Sequence, residues 1–309
     1  MGHHGLAVWL GFTGLVVALL VIDLGVLNRR SHVLSFKEAL SWSFGLIGFA
    51  LIFGLFLGWK EGTQHALEYY TGYLIELSLS VDNLFVFILI FNYFGVPAEA
   101  QPKVLKWGIL GAIVMRFIMI AVGALLLARF EWIIYVFGGI LIVTGVRMLM
   151  QQDERIEPDK NPVVRLARRV LPFGDAYDGT KFFTRTGTGR LLATPLLLVL
   201  LVVEWSDLVF AIDSIPAIFA ITRDPFLVYS SNVFAILGLR ALFFVLAGMM
   251  DRFVYLKPGV ALILVFVGIK MAVSAWVHLP ILVSLAVIVL TLGGAVGLSL
   301  RRTAGEAVT

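Results

Sequence analysis

The chain has 309 residues, of which 60% are hydrophobic and only 14% are charged. Its mean hydropathy is +0.97, whereas a soluble domain is about 45–50% apolar and about 25% charged. This composition excludes a soluble globular protein and indicates a polytopic membrane protein. The chain contains no cysteine, which excludes disulfides and thiolate metal sites.

Nine apolar runs are long enough to cross ~30 Å of hydrocarbon, which takes about 20 helical residues each. They lie near 6–27, 39–58, 69–94, 104–127, 131–150, 192–220, 226–248, 256–275 and 280–300. The first run lacks a basic n-region and a small-residue cleavage site, so we expect a retained span. The runs lack the ten-residue alternation of an outer-membrane barrel. The predicted fold is all-α, a single transmembrane helical domain over residues 1–309.

Lysine and arginine are concentrated after spans one, three, five and seven and at the C-terminus. Such segments stay on the cytoplasmic side, so we expect the N-terminus outside and the C-terminus inside. The location is expected to be a bacterial-type cytoplasmic (inner) membrane. The same asymmetry explains much of the pI of 9.4, so no nucleic-acid partner is needed. The expected partners are the lipid bilayer and ions, and homo-oligomerisation is left open.

One long connection, residues 151–191, divides the chain on the predicted cytoplasmic side. It opens with "QQDERIEPDKNP" and continues as "VVRLARRVLPF", which is typical of a short amphipathic helix on a membrane surface. It ends in "YDGTKFFTRTGTGRLLATP", whose Gly, Thr and aromatic content predicts a small hairpin.

The spans on either side of this connection resemble each other. The matched positions are Glu76 and Glu204, Ser78 and Ser206, Arg116 and Arg240, and Arg147 and Lys270. Each unit, 69–150 and 192–275, has three spans, so the second unit must enter the membrane from the opposite side. The sequence therefore predicts a 3+3 inverted repeat, an architecture common in transporters, with the substrate site at the midplane.

Acidic and basic residues lie inside the predicted spans, where an ionised side chain costs about 2.5–3.5 kcal/mol or more. The acids are Asp23, Glu76, Asp82, Glu204, Asp207 and Asp213, and the bases are Arg116, Arg147, Arg240 and Lys270. Structural ion pairing is one interpretation, and Arg116, Arg240 and Lys270 are its candidates. It does not account for five acids falling in two short windows, "ELSLSVDN" and "EWSDLVFAIDS".

Helix geometry decides which acids can meet. At about 100° per residue, Glu204 and Asp207 lie ~60° apart, whereas Asp213 falls on the opposite face of an unbroken helix. The step from Glu76 to Asp82 turns by ~240°. Because Pro216 disrupts helical hydrogen bonding and the polar residues of "SLSVDN" compete for it, we expect discontinuous helices whose unwound turns gather the carboxylates.

Such a site would contain only oxygen ligands and carry a strong negative charge. That chemistry suits a hard divalent cation such as manganese, magnesium or calcium. The candidate metal ligands are Glu76, Asp82, Glu204, Asp207 and Asp213, with supporting positions Ser78, Ser80, Asn83, Ser206 and Ser214. Asp23 remains open as a ligand, a proton relay or a residue of the interface. His3 and His4 are interpreted as terminal polar residues and not as ligands.

The two windows carry a family resemblance. "ELSLSVDN" (76–83) and "VVEWSDLVFAIDSIPA" (202–217) resemble the paired signatures of the TerC family of integral membrane proteins, placed with the LysE-type transporters. "KFFTR" (181–185) and "VIDLGV" (21–26) are also similar to that family. The resemblance implies manganese export from the cytoplasm and a functional role for the five acids of the two windows.

The resulting hypothesis is a secondary transporter that exports manganese or a related divalent cation through a midplane site between spans three and six. We see no nucleotide-binding motif, so coupling to protons or to the membrane potential is expected. Two alternatives stay open: a membrane scaffold that aids other membrane proteins, and a transporter of tellurite-type oxyanions. The cation is a substrate, and no cofactor is expected. An enzyme is not expected, because no nucleophile and base pair is evident.

Overall fold

The computed structural model describes residues 5–23, 35–130, 132–150, 162–185, 189–247, 255–274, 276 and 279–306. The helices are α1 (Leu6–Val21), α2 (Phe36–Glu61), α3 (Thr63–Phe94), α4 (Gln101–Arg129), α5 (Ile133–Met150), α6 (Pro162–Val170), α7 (Pro195–Phe219), α8 (Pro225–Ala247), α9 (Leu256–Ala272) and α10 (Ile281–Glu306). The strands are β1 (Phe183–Arg185) and β2 (Leu191–Ala193).

Seven helices of the described chain are long and apolar enough to cross a membrane, namely α2, α3, α4, α5, α7, α8 and α10. Each of the nine predicted runs contains a helix, but α1 has 16 residues and α9 has 17. Large apolar side chains point outward, for example Leu125 on α4 and Leu290 on α10, which are 68% and 74% exposed. The helical, multi-pass membrane fold is confirmed, and the number of nine spans stays a prediction, since seven helices of the described residues reach the length of a span.

The predicted breaks in the two signature helices are wrong. α3 runs without interruption from Thr63 to Phe94, and α7 runs from Pro195 to Phe219 with Pro216 inside it. Because Pro216 lies in the last turn of α7, most of the backbone hydrogen bonds of the helix join residues that precede it. Neighbouring helices also bind Asp207, Asp213 and Ser214 of α7 through side-chain hydrogen bonds.

α8 is the central helix of the bundle. Within its apolar window 89% of the residues are buried, and α2, α3 and α4 all pack against it. α1 also packs on α8, where the Phe12 ring lies 5.4 Å from Phe226 and 5.8 Å from Phe234. Polar residues on α8 are therefore enclosed by protein and not by lipid.

α5 and α9 cross closely because glycine occupies the contact. A Cβ built at Gly138 would lie 2.9 Å from the carbonyl oxygen of Gly268, and one built at Gly145 would lie 2.7 Å from that of Ala261. Small residues let two membrane helices approach to backbone distance. This crossing joins the third helix of one predicted unit to the third helix of the other.

The connection between α5 and α7 contains the predicted elements that fall within the described residues. α6 forms within "VVRLARRVLPF", and β1 and β2 form an antiparallel hairpin with Phe183 opposite Ala193. The helix and the hairpin are confirmed, the position of α6 on the membrane surface stays a prediction, and residues 151–161 of "QQDERIEPDKNP" lie outside the described residues. β2 leads directly into α7, since Ala193 is followed by Thr194 and then by the first residue of the helix, Pro195.

Side-chain contacts dock this connection on the bundle. Lys103, at the start of α4, donates to the Thr180 carbonyl at 2.5 Å and lies 4.6 Å above the Phe182 ring. The Tyr177 hydroxyl donates to the Phe94 carbonyl at 2.8 Å. The connection therefore covers the end of α3 and the beginning of α4.

Within the connection, Asp178 orders the turn before β1. Its carboxylate accepts hydrogen bonds from Thr184 at 2.8 Å and from Lys181 at 3.1 Å. The Thr184 hydrogen bond, together with Lys181, lowers the pKa of the Asp178 carboxyl below its ordinary range.

Candidate functional site

A buried charged cluster lies halfway along the helices of the bundle. Arg116 is the sixteenth of the 29 residues of α4, and Asp207 is the thirteenth of the 25 residues of α7. Arg116 and Glu76 are 0% exposed, and Asp207 is 3% exposed. Charges buried to this degree need partners, because an isolated ion in an apolar interior is strongly unfavourable.

Arg116 joins four helices through its guanidinium. It forms an ion pair with Glu76 of α3 and a second, at 3.3 Å, with Asp207 of α7. It also donates to Ser214 at 3.0 Å and to the Asn232 side-chain oxygen of α8 at 3.1 Å. The cluster therefore connects the first predicted unit to the second.

Glu76 is fully engaged within this cluster. One carboxylate oxygen meets Arg116 and accepts from Ser80 at 3.3 Å, while the other accepts from the Asn232 amide at 3.0 Å. The carboxylate is neutralised by an adjacent guanidinium and accepts hydrogen bonds at both oxygens. Breaking such a buried pair is strongly unfavourable, since it leaves one ion without its partner.

Asp207 is engaged on one side only. Its Oδ1 meets Arg116, whereas its Oδ2 is buried and has no hydrogen-bond partner among the residues that the structure describes. Glu204, three residues earlier on α7, is half-buried and lies against Gly111 of α4. Asp207 and Glu204 both line a small cavity of about 10 Å³.

The remaining acids of the two windows point elsewhere. Asp213 is half-buried and accepts a hydrogen bond from Thr144 of α5 at 2.8 Å. Asp82 is half-buried on α3, six residues beyond Glu76 on an unbroken helix, which places it on a different face. Within the described residues, no group of three or more Asp, Glu, His or Cys side chains could hold a metal ion. The structure thus brings together Glu76 and Asp207 with Glu204 nearby, but not all five acids.

The other predicted bases and Asp23 form separate contacts. Arg240 of α8 forms an ion pair with Asp23, just after α1, at 2.6 Å. Lys270 of α9 donates to the Ser284 hydroxyl of α10 at 2.9 Å. Asp23 therefore belongs to a second charged pair. Among the described residues this pair shares no hydrogen bond with the cluster around Arg116.

The supporting polar residues divide between the cluster and their own helices. Ser80 and Ser214 contact the cluster through Glu76 and Arg116. Ser78 and Ser206 instead donate to backbone carbonyls four residues earlier in their own helices. Asn83 is buried, and its side-chain nitrogen has no partner among the described residues.

Three contributors were not identified from sequence. Asn232 stands in "SSN" on α8, and a buried polar trio within an apolar run was the available signal. Thr144 and Gly111 carried no signal, because one threonine and one glycine are ordinary in membrane helices. Their roles depend on which helix faces them.

A larger cavity, of about 900 Å³, opens near the C-terminal half of α4, opposite the end that the connection covers. Its lining includes His65, Glu68, Ile120, Thr222 and Tyr229. Ile120 is one helical turn from Arg116. The cluster is thus about one turn from this cavity, whereas Lys103 at the docked end is ~20 Å away along α4.

The chain resembles known membrane proteins along nearly its whole length. It is 53% identical over 303 residues to "Uncharacterized membrane protein STKORF319" of Myxococcus xanthus, covering 98% of this chain and 94% of that protein. It is 48% identical over 289 residues to "Putative membrane-bound redox modulator Alx" of Escherichia coli K12, covering 91% and 90%. No solved structure matches it.

A protein-family model also matches most of the chain. Residues 61–306 match the model described as "Integral membrane protein TerC family". This range contains both signature windows and every residue of the Arg116 cluster. The chain therefore belongs to the TerC family of integral membrane proteins.

Proposed function

We propose that this protein is a secondary transporter that exports manganese or a related divalent cation from the cytoplasm, within the LysE-type superfamily. The observation that carries the proposal is the excess of acid at the centre of the bundle. Glu76, Asp207 and Glu204 lie on or beside the cluster, and Arg116 is the base that pairs there. Ionisable groups at this depth mark ion pathways in membrane proteins.

The chemistry of these groups favours a hard cation. Carboxylate, hydroxyl and amide oxygens surround the cluster, and neither signature window contains His or Cys. Oxygen ligands suit manganese, magnesium and calcium better than softer metals. The buried Oδ2 of Asp207 offers a carboxylate oxygen that the described protein does not use.

The α5–α9 crossing supports the two-unit architecture that is common in transporters. An offset of 123 residues relates Arg147 to Lys270, and the same offset relates Gly138 to Ala261 and Gly145 to Gly268. Adding the offset to one residue of a contact and subtracting it from the other gives the second contact, since Gly138 meets Gly268 and Gly145 meets Ala261. Such reciprocity is expected where two repeats meet about a pseudo-two-fold axis.

The access route follows from the two ends of α4. The connection covers the end that carries Lys103, which the charge pattern assigns to the cytoplasm. The 900 Å³ cavity opens toward the other end and approaches Arg116 to within about one turn. We therefore interpret this arrangement as the outward-facing arm of an alternating-access cycle, with protons as the coupling ion.

A membrane scaffold is the second candidate, and one observation favours it. Arg116 and Arg240 are each paired with carboxylates from other segments, as structural polar contacts would be. The name of the Escherichia coli relative includes a redox role. A thiol-based redox role is incompatible with a chain that has no cysteine. Oxyanion transport is disfavoured, because the acids around Arg116 repel such substrates.

Metal uptake into proteoliposomes tests the proposal. Manganese, magnesium, calcium and zinc are compared at two pH values, with empty liposomes as the reference. We expect manganese uptake that depends on the imposed pH gradient and that Asp207→Asn abolishes while protein insertion persists. If vesicles with the wild-type protein take up no more metal than empty liposomes, transport is contradicted. The membrane scaffold then remains as the candidate function.

A further inference from the structure

The two oxygens of the Asp207 carboxylate have different surroundings. Oδ1 lies 3.3 Å from the Arg116 guanidinium, and Oδ2 is buried with no partner in the described part of the chain. A buried carboxylate oxygen without a hydrogen bond is unfavourable by about 1–3 kcal/mol or more. The side chain is 3% exposed and lines the small cavity between α4 and α7.

Glu204 reaches the same cavity because of a glycine on the facing helix. Its carboxylate lies where a side chain at residue 111 would begin, so that a methyl carbon added to Gly111 would overlap it. The rest of the cavity wall is apolar, with Phe87, Ala112 and Leu239 among its residues. A cavity of about 10 Å³ has room for about one water-sized particle.

With all four groups ionised, Glu76, Asp207 and Glu204 carry three negative charges against the single positive charge of Arg116. Arg116 and Glu76 are in direct ion contact and cancel each other. Asp207 and Glu204 then carry two negative charges that the cluster leaves uncompensated. One divalent cation would neutralise them without moving Arg116, whereas a monovalent ion would leave one charge buried and uncompensated, at a cost of several kcal/mol.

We propose that the cation binds between Asp207 and Glu204, and that Glu76 is a positioning residue and not a ligand. This rests on the proposed function and narrows its site to one face of α7. Glu76 fixes Arg116, Arg116 holds Oδ1 of Asp207, and Oδ2 is thereby turned to the cavity. Gly111 is a positioning residue as well, because its missing side chain leaves the space that the Glu204 carboxylate occupies.

Gly111→Ala tests the proposal with little risk to the fold. The new methyl meets the end of a flexible side chain and not backbone, and alanine favours a helix over glycine by about 1 kcal/mol. Titration calorimetry of purified protein with manganese chloride is expected to show binding weakened roughly 10- to 100-fold. The thermal unfolding midpoint without metal should not fall.

Gly48→Ala is the matched control, because a Cβ there meets nothing within 4 Å, and it should bind manganese like the wild type. If Gly111→Ala also binds like the wild type, the inference is overturned while transport by another site survives. If the wild type binds no divalent cation and transports none, the proposed function fails as well.

A charge-neutral double variant tests the role of Glu76 separately. Glu76→Gln combined with Arg116→Gln removes the internal pair but keeps the charge of Asp207 and Glu204. It should bind manganese more weakly than the wild type, because Asp207 is no longer held by Arg116, but it should retain measurable binding that Glu204→Gln loses. A double variant that folds and loses binding as completely as Glu204→Gln would make Glu76 a ligand and overturn the assignment. If the double variant does not fold, the Gly111→Ala result alone decides the proposal.

Discussion

The two buried arginines occupy matching positions in the two units but have different surroundings. Arg116 and Arg240 are 124 residues apart, within the offset that relates the units. Arg116 pairs with Glu76 of its own unit and Asp207 of the other. Arg240 instead pairs with Asp23, which lies outside both units.

The difference shows where the symmetry of the repeat is broken. Glu204 is the counterpart of Glu76, yet within the described residues it forms no ion pair with Arg240, which lies with Asp23. The segment just after α1 thus supplies the acid that the second unit would otherwise provide. One glutamate becomes a structural counterion, and the other remains available beside a cavity.

The largest loss of stability is expected when Arg116 is replaced. Arg116→Gln leaves Glu76 and Asp207 facing each other in a buried site, and the free energy of unfolding should fall by about 3–5 kcal/mol. Chemical unfolding of the detergent-purified protein measures it. A loss no greater than that of Arg240→Gln would show that the two arginines are equivalent after all.

A smaller effect is expected at the other arginine. Arg240→Gln leaves one carboxylate, Asp23, without its charged partner, so the loss should be about 1.5–3 kcal/mol. The same unfolding measurement applies, with Asp23→Asn as the companion variant. Divalent-cation binding should be unchanged in both, and a loss of binding would place Asp23 in the site.

The smallest effect tests the part of the molecule where the symmetry holds. Gly145→Ala and Gly268→Ala, which the 123-residue offset relates, each force a methyl to 2.7 Å from a carbonyl oxygen of the partner helix. Both should lower the free energy of unfolding by similar amounts, ~1–3 kcal/mol. Gly139→Ala is the control, because a Cβ there meets nothing within 4 Å. Unequal losses would argue against a two-fold crossing.

Sequence was sufficient for elements whose signal is local. Apolar runs long enough to span a bilayer predicted the helices, and the composition around Phe183 and Ala193 predicted the hairpin. The unwound turns were wrong because Pro216 and the serines carry a local tendency that the surrounding bundle overrides. A broken helix was inferred to bring five acids together, but an arginine from a third helix meets two of them instead.

The partners of each charged group were beyond the reach of a single sequence. Spacing along α7 correctly placed Glu204 and Asp207 on neighbouring faces of one helix. It could not show that Asn232, 156 residues from Glu76, completes the same hydrogen-bond network. Nor could it show that Arg240 meets Asp23 across 217 residues, since such pairings depend on how helices pack.

The enclosure of α8 has a consequence for how freely this protein can vary. With 89% of its apolar window buried, this helix has almost no surface that touches lipid, where one aliphatic residue substitutes for another at little cost. α10, with 17% of its window buried, has such a surface along most of its length. Saturation mutagenesis should therefore find α8 intolerant around its entire circumference and α10 permissive on all but one narrow side.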